Sequence, residues 1–245
     1  MQTHTHVIEI NGLCFTWEKQ KKPILDIPAF RVNRGERVFL QGPSGSGKST
    51  LLSLLAGVSQ PQSGSIKILG QELTTLSGAQ RDHFRAHHIG FIYQMFNLIP
   101  YLSVIENVTL PCRFSSLRKQ KALSQAGSPE EEAIRLLDHL EMAHDEVLHK
   151  PVNELSVGQQ QRVAAARALI GSPEIIIADE PTSSLDADRR STFIDLLFRE
   201  CEVSGSTLVF VSHDRSLESP FDRTIDFKDI NHAGDASLKN TDQVS

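Results

Sequence analysis

Nine consecutive residues near the N-terminus have the types and spacing of a phosphate-binding loop. They are Gly42, Pro43, Ser44, Gly45, Ser46, Gly47, Lys48, Ser49 and Thr50. They fit the motif G-x-x-x-x-G-K-[ST], in which glycines let successive backbone N–H groups face one anion. Lys48 is spaced to reach the β- and γ-phosphates of a nucleotide, and the Ser49 hydroxyl can bind Mg²⁺.

The segments on either side of this loop have the patterns of a strand and a helix. Residues 37–41 are an apolar run before it, and residues 51–56 are an apolar run after it that ends at Gly57. A helix N-terminus adds partial positive charge where phosphates would lie. These flanks favour a nucleotide site over the alternative, a Gly/Ser-rich surface loop.

Two acidic residues follow another apolar run later in the chain. Asp179 and Glu180 come directly after residues 175–178, which have the pattern of a central parallel strand. An Asp at such a strand end can hold Mg²⁺ through water, and the adjacent Glu180 can then act as the base that activates a water molecule. An acidic strand end or helix cap is the alternative, which the upstream phosphate loop disfavours.

Gln94 and His213 also follow apolar runs, at residues 89–93 and 206–211. Open α/β sheets place ligand contacts at the carboxyl ends of their strands. We therefore expect Gln94, Asp179 and His213 to converge on one phosphate group, with His213 contacting the γ-phosphate.

Residues 155–162 (Leu-Ser-Val-Gly-Gln-Gln-Gln-Arg) open an Ala-rich helix predicted over 163–170. A Ser, a Gly and a helix N-terminus make a second anion site. Within one subunit this site would compete with the first loop for the same phosphates. In a head-to-tail dimer it would cover the nucleotide of the partner, which predicts two ATP molecules at a two-fold interface.

Two other features allow more than one interpretation. Trp17, the only tryptophan, can stack on adenine or pack in the core, and its spacing does not decide between them. Residues 81–88 are rich in basic side chains and histidine, so a metal site is conceivable. A solvated helix is favoured, because no Cys or carboxylate set accompanies these histidines.

Composition limits the classes of function. The net charge of -5 argues against a general polyanion-binding surface, so no nucleic-acid partner is expected. The three cysteines are scattered and indicate reduced thiols. The N-terminus lacks the pattern of a signal peptide, and no apolar run approaches the ~20 residues of a membrane helix. Any role at a membrane is therefore expected to require a partner protein.

The remaining segments complete an α/β pattern. Residues 7–40 are β-rich, and residues 95–154 turn helical. Within the helical segment, Ser103 is expected to cap a helix, Pro129 to start another whose apolar face is buried, and residues 118–128 to form a polar connector.

With these motifs, residues 7–228 resemble the ATP-binding cassette (ABC) ATPases, most specifically at residues 155–159, which are similar to the family signature Leu-Ser-Gly-Gly-Gln. The resemblance implies these roles: Trp17 stacks on adenine, residues 42–50 are the Walker A loop, Gln94 senses Mg²⁺ and the attacking water, Asp179 is the Walker B aspartate, Glu180 is the catalytic glutamate and His213 is the switch histidine. It also implies that Ser156, Gly158 and Gln159 approach the partner's nucleotide. Ser49, Gln94 and Asp179 would form the Mg²⁺ set.

Two departures from the family pattern stand out. Val157 replaces the first signature glycine, from which we expect retained but altered activity. Ser184 replaces the commoner alanine of the D-loop, residues 183–186, in which Asp186 is implied to lie near the dimer interface.

The resemblance implies an α/β fold, a P-loop NTPase (RecA-like) core with an N-terminal antiparallel β subdomain and an inserted α-helical subdomain. It implies one ATPase domain over residues 1–228. Residues 1–94 and 161–228 would form the ATP-binding core with the β subdomain, and residues 95–160 the helical subdomain. Residues 229–245 are polar and are predicted to be a disordered tail.

Residues 91–100, together with 106–108 and 110–111, resemble the lipoprotein-release and macrolide-export (LolD/MacB) type more closely. That type implies an ATP-hydrolysing homodimer, with ATP and Mg²⁺ as cofactors, on the cytoplasmic face of the inner membrane. Its membrane contact would run only through an integral permease similar to FtsX. The alternatives are an ABC importer ATPase, a non-transport ABC ATPase and a small-molecule kinase with a phosphate loop.

Overall fold

A computed structural model describes residues 5–18, 20–142, 145–183 and 185–233 of the chain. These residues fall into two compact units, one formed by the chain up to Asp82 and from His213, the other by His83 to Ser212. Ser184 and residues 234–245 lie outside the described residues, so the D-loop substitution and most of the predicted tail stay predictions. The predicted domain boundaries also stay predictions.

The strands, in chain order, are β1 (His6–Phe15), β2 (Leu25–Asn33), β3 (Arg37–Gln41), β4 (Ser63–Ile68), β5 (Gln71–Glu72), β6 (Ile89–Ile92), β7 (Ile175–Asp179), β8 (Thr207–Ser212) and β9 (Arg223–Asp226). The helices are α1 (Lys48–Leu55), α2 (Gly78–His88), α3 (Val104–Thr109), α4 (Pro111–Phe114), α5 (Ser116–Ala126), α6 (Pro129–His139), α7 (Asp145–Leu148), α8 (Val157–Leu169), α9 (Ala187–Ser204) and α10 (Phe227–Ile230).

In the first unit, an antiparallel sheet has the strand order β2-β1-β4-β5. Strand β2 largely alternates buried and exposed side chains, as expected where one face of a sheet is packed and the other is solvated. A second, parallel pairing joins β3 to β9, with Leu40 opposite Ile225. The strand β3 leads directly into the phosphate loop and α1, as the sequence predicts.

In the second unit, β6, β7 and β8 are parallel neighbours. Every residue of β8 and the first four of β7 are buried, which explains their unbroken apolar sequences. Helix α8 packs closely on β6, since a Cβ atom at Gly90 would overlap the carbonyl oxygen of Ala168. The antiparallel sheet, the parallel strands and the helices confirm the predicted α/β class.

One predicted connector is wrong. Residues 118–128 include most of α5, which begins at its cap Ser115, whose hydroxyl accepts a hydrogen bond from the N–H of Arg118. The polar sequence does not reveal that this helix is packed, because Arg118 is buried and its guanidinium donates hydrogen bonds to backbone carbonyls of residues 167–170. In α6, Ile134 is 38% exposed, so it does not belong to the buried face as predicted.

Residues 229–233 of the predicted tail are ordered. Helix α10 ends at Ile230, and the N–H of His232 donates a 2.8 Å hydrogen bond to the carbonyl of Asp26. Among the described residues, no helix has the length and apolar character needed to cross a membrane.

Candidate functional site

The phosphate loop closes on its own lysine. Lys48 begins α1, is buried, and donates hydrogen bonds from Nζ to the carbonyls of Gly42 at 2.6 Å and Pro43 at 2.9 Å. Gly45 and Gly47 have φ values of 78° and 108°, in the region that favours glycine. The ammonium group thus lies inside the curve of the loop, at the start of a helix.

The loop and its flank also contain buried polar atoms whose hydrogen-bonding capacity is not used. The side-chain oxygens of Gln41 and Ser46 are buried without a hydrogen-bond partner. The Ser49 hydroxyl is on an exposed residue next to Lys48. Buried polar atoms are almost always paired, so the orphaned oxygens favour a site completed by a ligand or ordered water.

Asn231 supports the loop from the far end of the sequence. Its side-chain amide donates to the carbonyls of Ser46 at 3.3 Å and Ile24 at 2.9 Å, and its Oδ1 accepts from the N–H of Asp26 at 2.8 Å. Sequence reasoning missed this residue, because it lies in the polar segment predicted as a disordered tail. Its hydrogen-bond partners lie 185 or more positions away in the sequence, so no pattern near Asn231 indicates that it is held in place.

The acidic pair lies at the end of β7. Asp179 is the last residue of this strand and is paired with Val211 of β8. Glu180 follows with a φ of 45°, which is uncommon for a residue other than glycine. This left-handed step turns the chain out of the sheet directly after Asp179, and both acidic side chains are half-buried.

Gln94 leaves the sheet at the same edge. Ile92, the last residue of β6, is paired with Ala178 of β7, so Gln94 and Asp179 both lie at the carboxyl ends of neighbouring parallel strands. Gln94 itself is exposed. The structure therefore places the predicted amide and carboxylate at one edge of the sheet, where ligands of such sheets bind.

The start of α8 is capped by its own first turn. The Ser156 hydroxyl accepts from the N–H of Gln159 at 3.3 Å, and the Gln159 side chain accepts from the N–H of Ser156 at 2.9 Å. This capping box fixes both side chains. Gly158 has open space beside it, since a Cβ atom there would meet, of the residues that the structure describes, only Leu185 Cδ2 at 3.9 Å. Val157, the first residue of the helix, is 49% exposed.

A cleft of about 480 Å³ opens beside this helix start and is lined by Ser156, Gly158 and Leu185 among others. Asp186 caps α9 near it and accepts a hydrogen bond from the N–H of Arg189 at 3.0 Å. The described signature and D-loop residues therefore lie together in the second unit, beside this cleft.

Trp17 and His213 lie in the first unit. The Trp17 ring packs edge-on against Phe15, with centroids 4.8 Å apart, and remains partly exposed. Such a ring can still take a planar ligand on its free face. His213 is exposed and follows β8 directly.

Comparisons with known proteins agree with these elements. A family model described as "ABC transporter" matches residues 25–183. The lipoprotein-releasing system ATP-binding protein LolD of Syntrophotalea carbinolica is 37% identical over 225 residues, which are 91% of this chain and 95% of that protein. The LolD protein of Xanthomonas axonopodis pv. citri is 38% identical over 224 residues, covering 91% and 88%.

Among solved structures, the chain is similar to the ATP-binding cassette MJ0796, determined as a dimer in a post-hydrolysis state bound to ADP and Pi. The TM-score is 0.79 and the sequence identity 34%, over 89% of this chain and 93% of that one. This similarity confirms the predicted fold class.

Proposed function

Since this chain belongs to the ABC transporter family of ATP-binding proteins, we propose that this ATPase drives a membrane permease of the lipoprotein-release or macrolide-export type. The observation that carries the proposal is the pairing, in one chain, of a phosphate loop closed around Lys48 with a bare helix start at Gly158. The similarity to LolD proteins over 91% of the chain supports the subtype.

The phosphate loop binds the nucleotide in this proposal. The Lys48 ammonium, now satisfied by the carbonyls of Gly42 and Pro43, turns toward the β- and γ-phosphates, while the loop N–H groups and α1 face the same anion. Trp17 takes the adenine ring on its free face. Gly42, Ser44, Gly45, Ser46, Gly47 and Thr50 complete the cradle.

Ser49, Asp179 and Gln94 supply oxygen atoms of the kind that a magnesium ion prefers. When bound, Mg²⁺ neutralises charge on the β- and γ-phosphates. Glu180 accepts a proton from the attacking water, and His213 donates a hydrogen bond to the γ-phosphate. The left-handed backbone at Glu180 turns the chain out of β7 at the residue that carries this carboxylate.

The second copy completes the site. Glycine inside a helix costs about 1 kcal/mol relative to alanine, yet no residue in the described part of the chain crowds Gly158. The bare backbone is explained if the partner's γ-phosphate approaches it, with Ser156 and Gln159 presenting the helix N-terminus and Asp186 nearby. The dimeric state of MJ0796 supports this arrangement.

ATP binding closes the dimer and hydrolysis reopens it, and this motion does work on the permease. In this proposal the protein contacts the membrane only through the permease, and it lies on the cytoplasmic face of the inner membrane.

Two measurements on the purified full-length chain test the proposal. ATP should be hydrolysed without any acceptor molecule, which a small-molecule kinase would require, and Lys48→Ala should abolish hydrolysis through loss of binding. A tagged chain should recover an integral permease from detergent-solubilised membranes. Absence of phosphate release, or recovery of a soluble repair or translation complex instead, would contradict the proposal.

A further inference from the structure

The turn that carries Gln94 has an unusual backbone. We call residues 93–97 the Gln94 turn. Phe96 and Asn97 have φ values of 58° and 49°, so two consecutive residues other than glycine adopt the left-handed conformation. Such residues are uncommon, and the conformation persists only where surrounding contacts hold it. The N–H of Phe96 donates to the carbonyl of Tyr93 at 2.9 Å, and the N–H of Asn97 donates to the carbonyl of Met95 at 2.6 Å, so both bonds stay within the turn.

The contact that holds the turn comes from the signature helix. Arg167, in the last turn of α8, donates from its two terminal nitrogens to the carbonyls of Asn97 at 2.7 Å and Phe96 at 2.5 Å. The planar guanidinium fork matches two adjacent carbonyls, which a lysine ammonium cannot bridge in the same way. Arg167 therefore fixes the two left-handed residues directly.

Burying the charged side chain of Arg167 costs folding free energy, so its position is not explained by packing alone. It is 9% exposed, and burial lowers its pKa. No carboxylate among the described residues forms a salt bridge with it, and a buried charge without a counter-ion is unfavourable for folding. The two hydrogen bonds to the Gln94 turn are the interactions that this position gains by being arginine.

Both ends of the connection are anchored. The carbonyl of Arg167 itself accepts from Arg118 at 3.1 Å, and Arg118 also donates to the carbonyls of Ala168 and Ile170, each at 2.7 Å. After the turn, the buried Asn107 side chain accepts from the N–H of Ile99 at 2.8 Å and donates to its carbonyl at 3.0 Å. The end of α8 and the chain beyond the turn are thus fixed.

Residues 93–95 lie between the end of β6 and Phe96 and are held by contacts near them in the chain, including the stacking of the Tyr93 ring on Phe91 with centroids 4.2 Å apart. Met95 in this span is 81% exposed. The position of Gln94 is therefore set by two fixed points, the paired end of β6 and the Arg167 fork. The other end of helix α8 carries Gly158, about 14 Å from Arg167 at 1.5 Å per residue, and its cap Ser156, about 17 Å away.

We propose that Arg167 is a positioning residue that ties Gln94 to the signature helix, so that the Gln94 turn and α8 move as one body. The proposal rests on the proposed function of Gln94 at the nucleotide. In the proposed dimer, the Gln94 turn would contact the nucleotide bound by its own copy, and the start of α8 would contact the nucleotide of the partner. Arg167 would connect these two segments rigidly within each copy.

A double-mutant cycle tests this role. Arg167→Lys should lower kcat for ATP hydrolysis about tenfold while leaving ATP affinity within about twofold, because the phosphate loop is untouched. In a Gln94→Ala background, Arg167→Lys should have no further effect beyond about twofold. Independent, multiplying effects of the two changes would overturn the proposal, as would full activity of Arg167→Lys or of Gln94→Ala.

Arg162 provides the matched control. It lies on the same helix and donates to two backbone carbonyls, those of Leu140 at 3.1 Å and Glu141 at 3.0 Å, away from the Gln94 turn. Any effect of Arg162→Lys on kcat should multiply with that of Gln94→Ala. Coupling as strong as that of Arg167 would contradict a specific tie.

Hydrogen–deuterium exchange gives a readout that does not depend on hydrolysis. Exchange in residues 93–97 should accelerate about tenfold in Arg167→Lys and stay unchanged in Arg162→Lys. This result would hold even if the proposed function failed in the ATPase assay. Arg167→Met, which leaves no buried ammonium, is measured alongside. If both Arg167 variants are too unstable to purify, Arg167 serves folding and the positioning role is wrong.

Discussion

The backbone N–H of Glu180 donates a 2.9 Å hydrogen bond to the carbonyl of Val211, although Glu180 has already left the β-conformation. The bond extends the pairing of β7 and β8 by one residue through a left-handed step. It fixes the backbone of the proposed base to the neighbouring strand, so a change of side chain should not move that backbone.

We therefore expect Glu180→Gln to remove the base without disturbing the fold. The amide keeps the size of the side chain but cannot accept a proton, and loss of a general base lowers rates by about 10²–10⁴-fold. ATP should still bind, and a closed dimer should accumulate. Phosphate release and light scattering with ATP measure the two effects. Glu202→Gln, an exposed carboxylate in α9, is the control, and normal turnover of Glu180→Gln would refute the role.

Gly158→Ala should change the stability of the single chain and the formation of the ATP-dependent dimer in opposite directions. Among the described residues, a Cβ atom there meets only Leu185 Cδ2, at an ordinary 3.9 Å. Removing a helical glycine should raise the free energy of unfolding by up to about 1 kcal/mol. The ATP-dependent dimer and the ATPase rate should nevertheless fall at least about tenfold, because the added methyl group occupies the approach of the partner's phosphate.

Urea unfolding and sedimentation velocity measure these opposite changes. Gly90→Ala is the contrasting variant, since its Cβ atom would overlap the carbonyl oxygen of Ala168 and should destabilise the chain itself. If Gly158→Ala dimerises normally with ATP, the γ-phosphate does not approach α8 in the proposed way.

Val157→Gly should restore the bare start of the signature helix. The exposed, β-branched side chain of Val157 stands next to Gly158, and in the proposed dimer it would narrow the surface that the partner's nucleotide meets. We expect the ATPase rate at subsaturating ATP to rise by roughly threefold, since an overpacked contact is relieved. Val58→Gly, the same change at an exposed site after α1, should leave the rate unchanged. A lower rate for Val157→Gly would show that the valine assists closure.

The ion-pair cluster around Glu174 should make stability fall in acid. Burial raises the pKa of Glu174, but hydrogen bonds from His88 and Lys121, each at 2.9 Å, more than reverse this and lower its pKa from 4.5 to about 2. Because the folded-state pKa is depressed, the stabilisation is complete above pH 4.5 and is lost as the pH falls toward 2. It amounts to at most about 3 kcal/mol.

The measurement is the difference in urea-unfolding free energy between the wild type and Glu174→Gln. We expect this difference to be largest at pH 7 and about half as large at pH 3. A difference that does not change with pH would assign the effect of the substitution to packing instead of charge.

Much of the fold is predictable because its signals are local. The strand β3 has the predicted bounds, and β6 and β7 differ from prediction by one residue at one end. The cap at Ser103 is also confirmed, with Glu106 completing a capping box. An apolar run that ends in glycine predicts a strand or helix, and a hydroxyl residue three positions before an acidic one predicts a helix cap. Both patterns extend over only a few residues, so they can be read directly from the sequence.

The errors share a nonlocal cause. Helix α5 was hidden because Arg118 looks solvated in sequence, whereas its guanidinium is buried against carbonyls about fifty positions away. The contribution of Arg167 to the Gln94 turn spans 70 positions. A polar side chain that finds its partners only in the folded chain carries no periodicity from which burial can be predicted.

The hydrogen bond from Asn231 to Ser46 has a consequence for how the protein is made. The first unit is assembled from both ends of the chain, so the phosphate loop lacks its support until Asn231, 185 positions later, has been synthesised. Domains generally fold from the N-terminus during translation, but this loop must wait until residue 231 has left the ribosome. A nascent chain therefore gains the full support of its phosphate loop only after that point, and a truncation before residue 231 should weaken nucleotide binding.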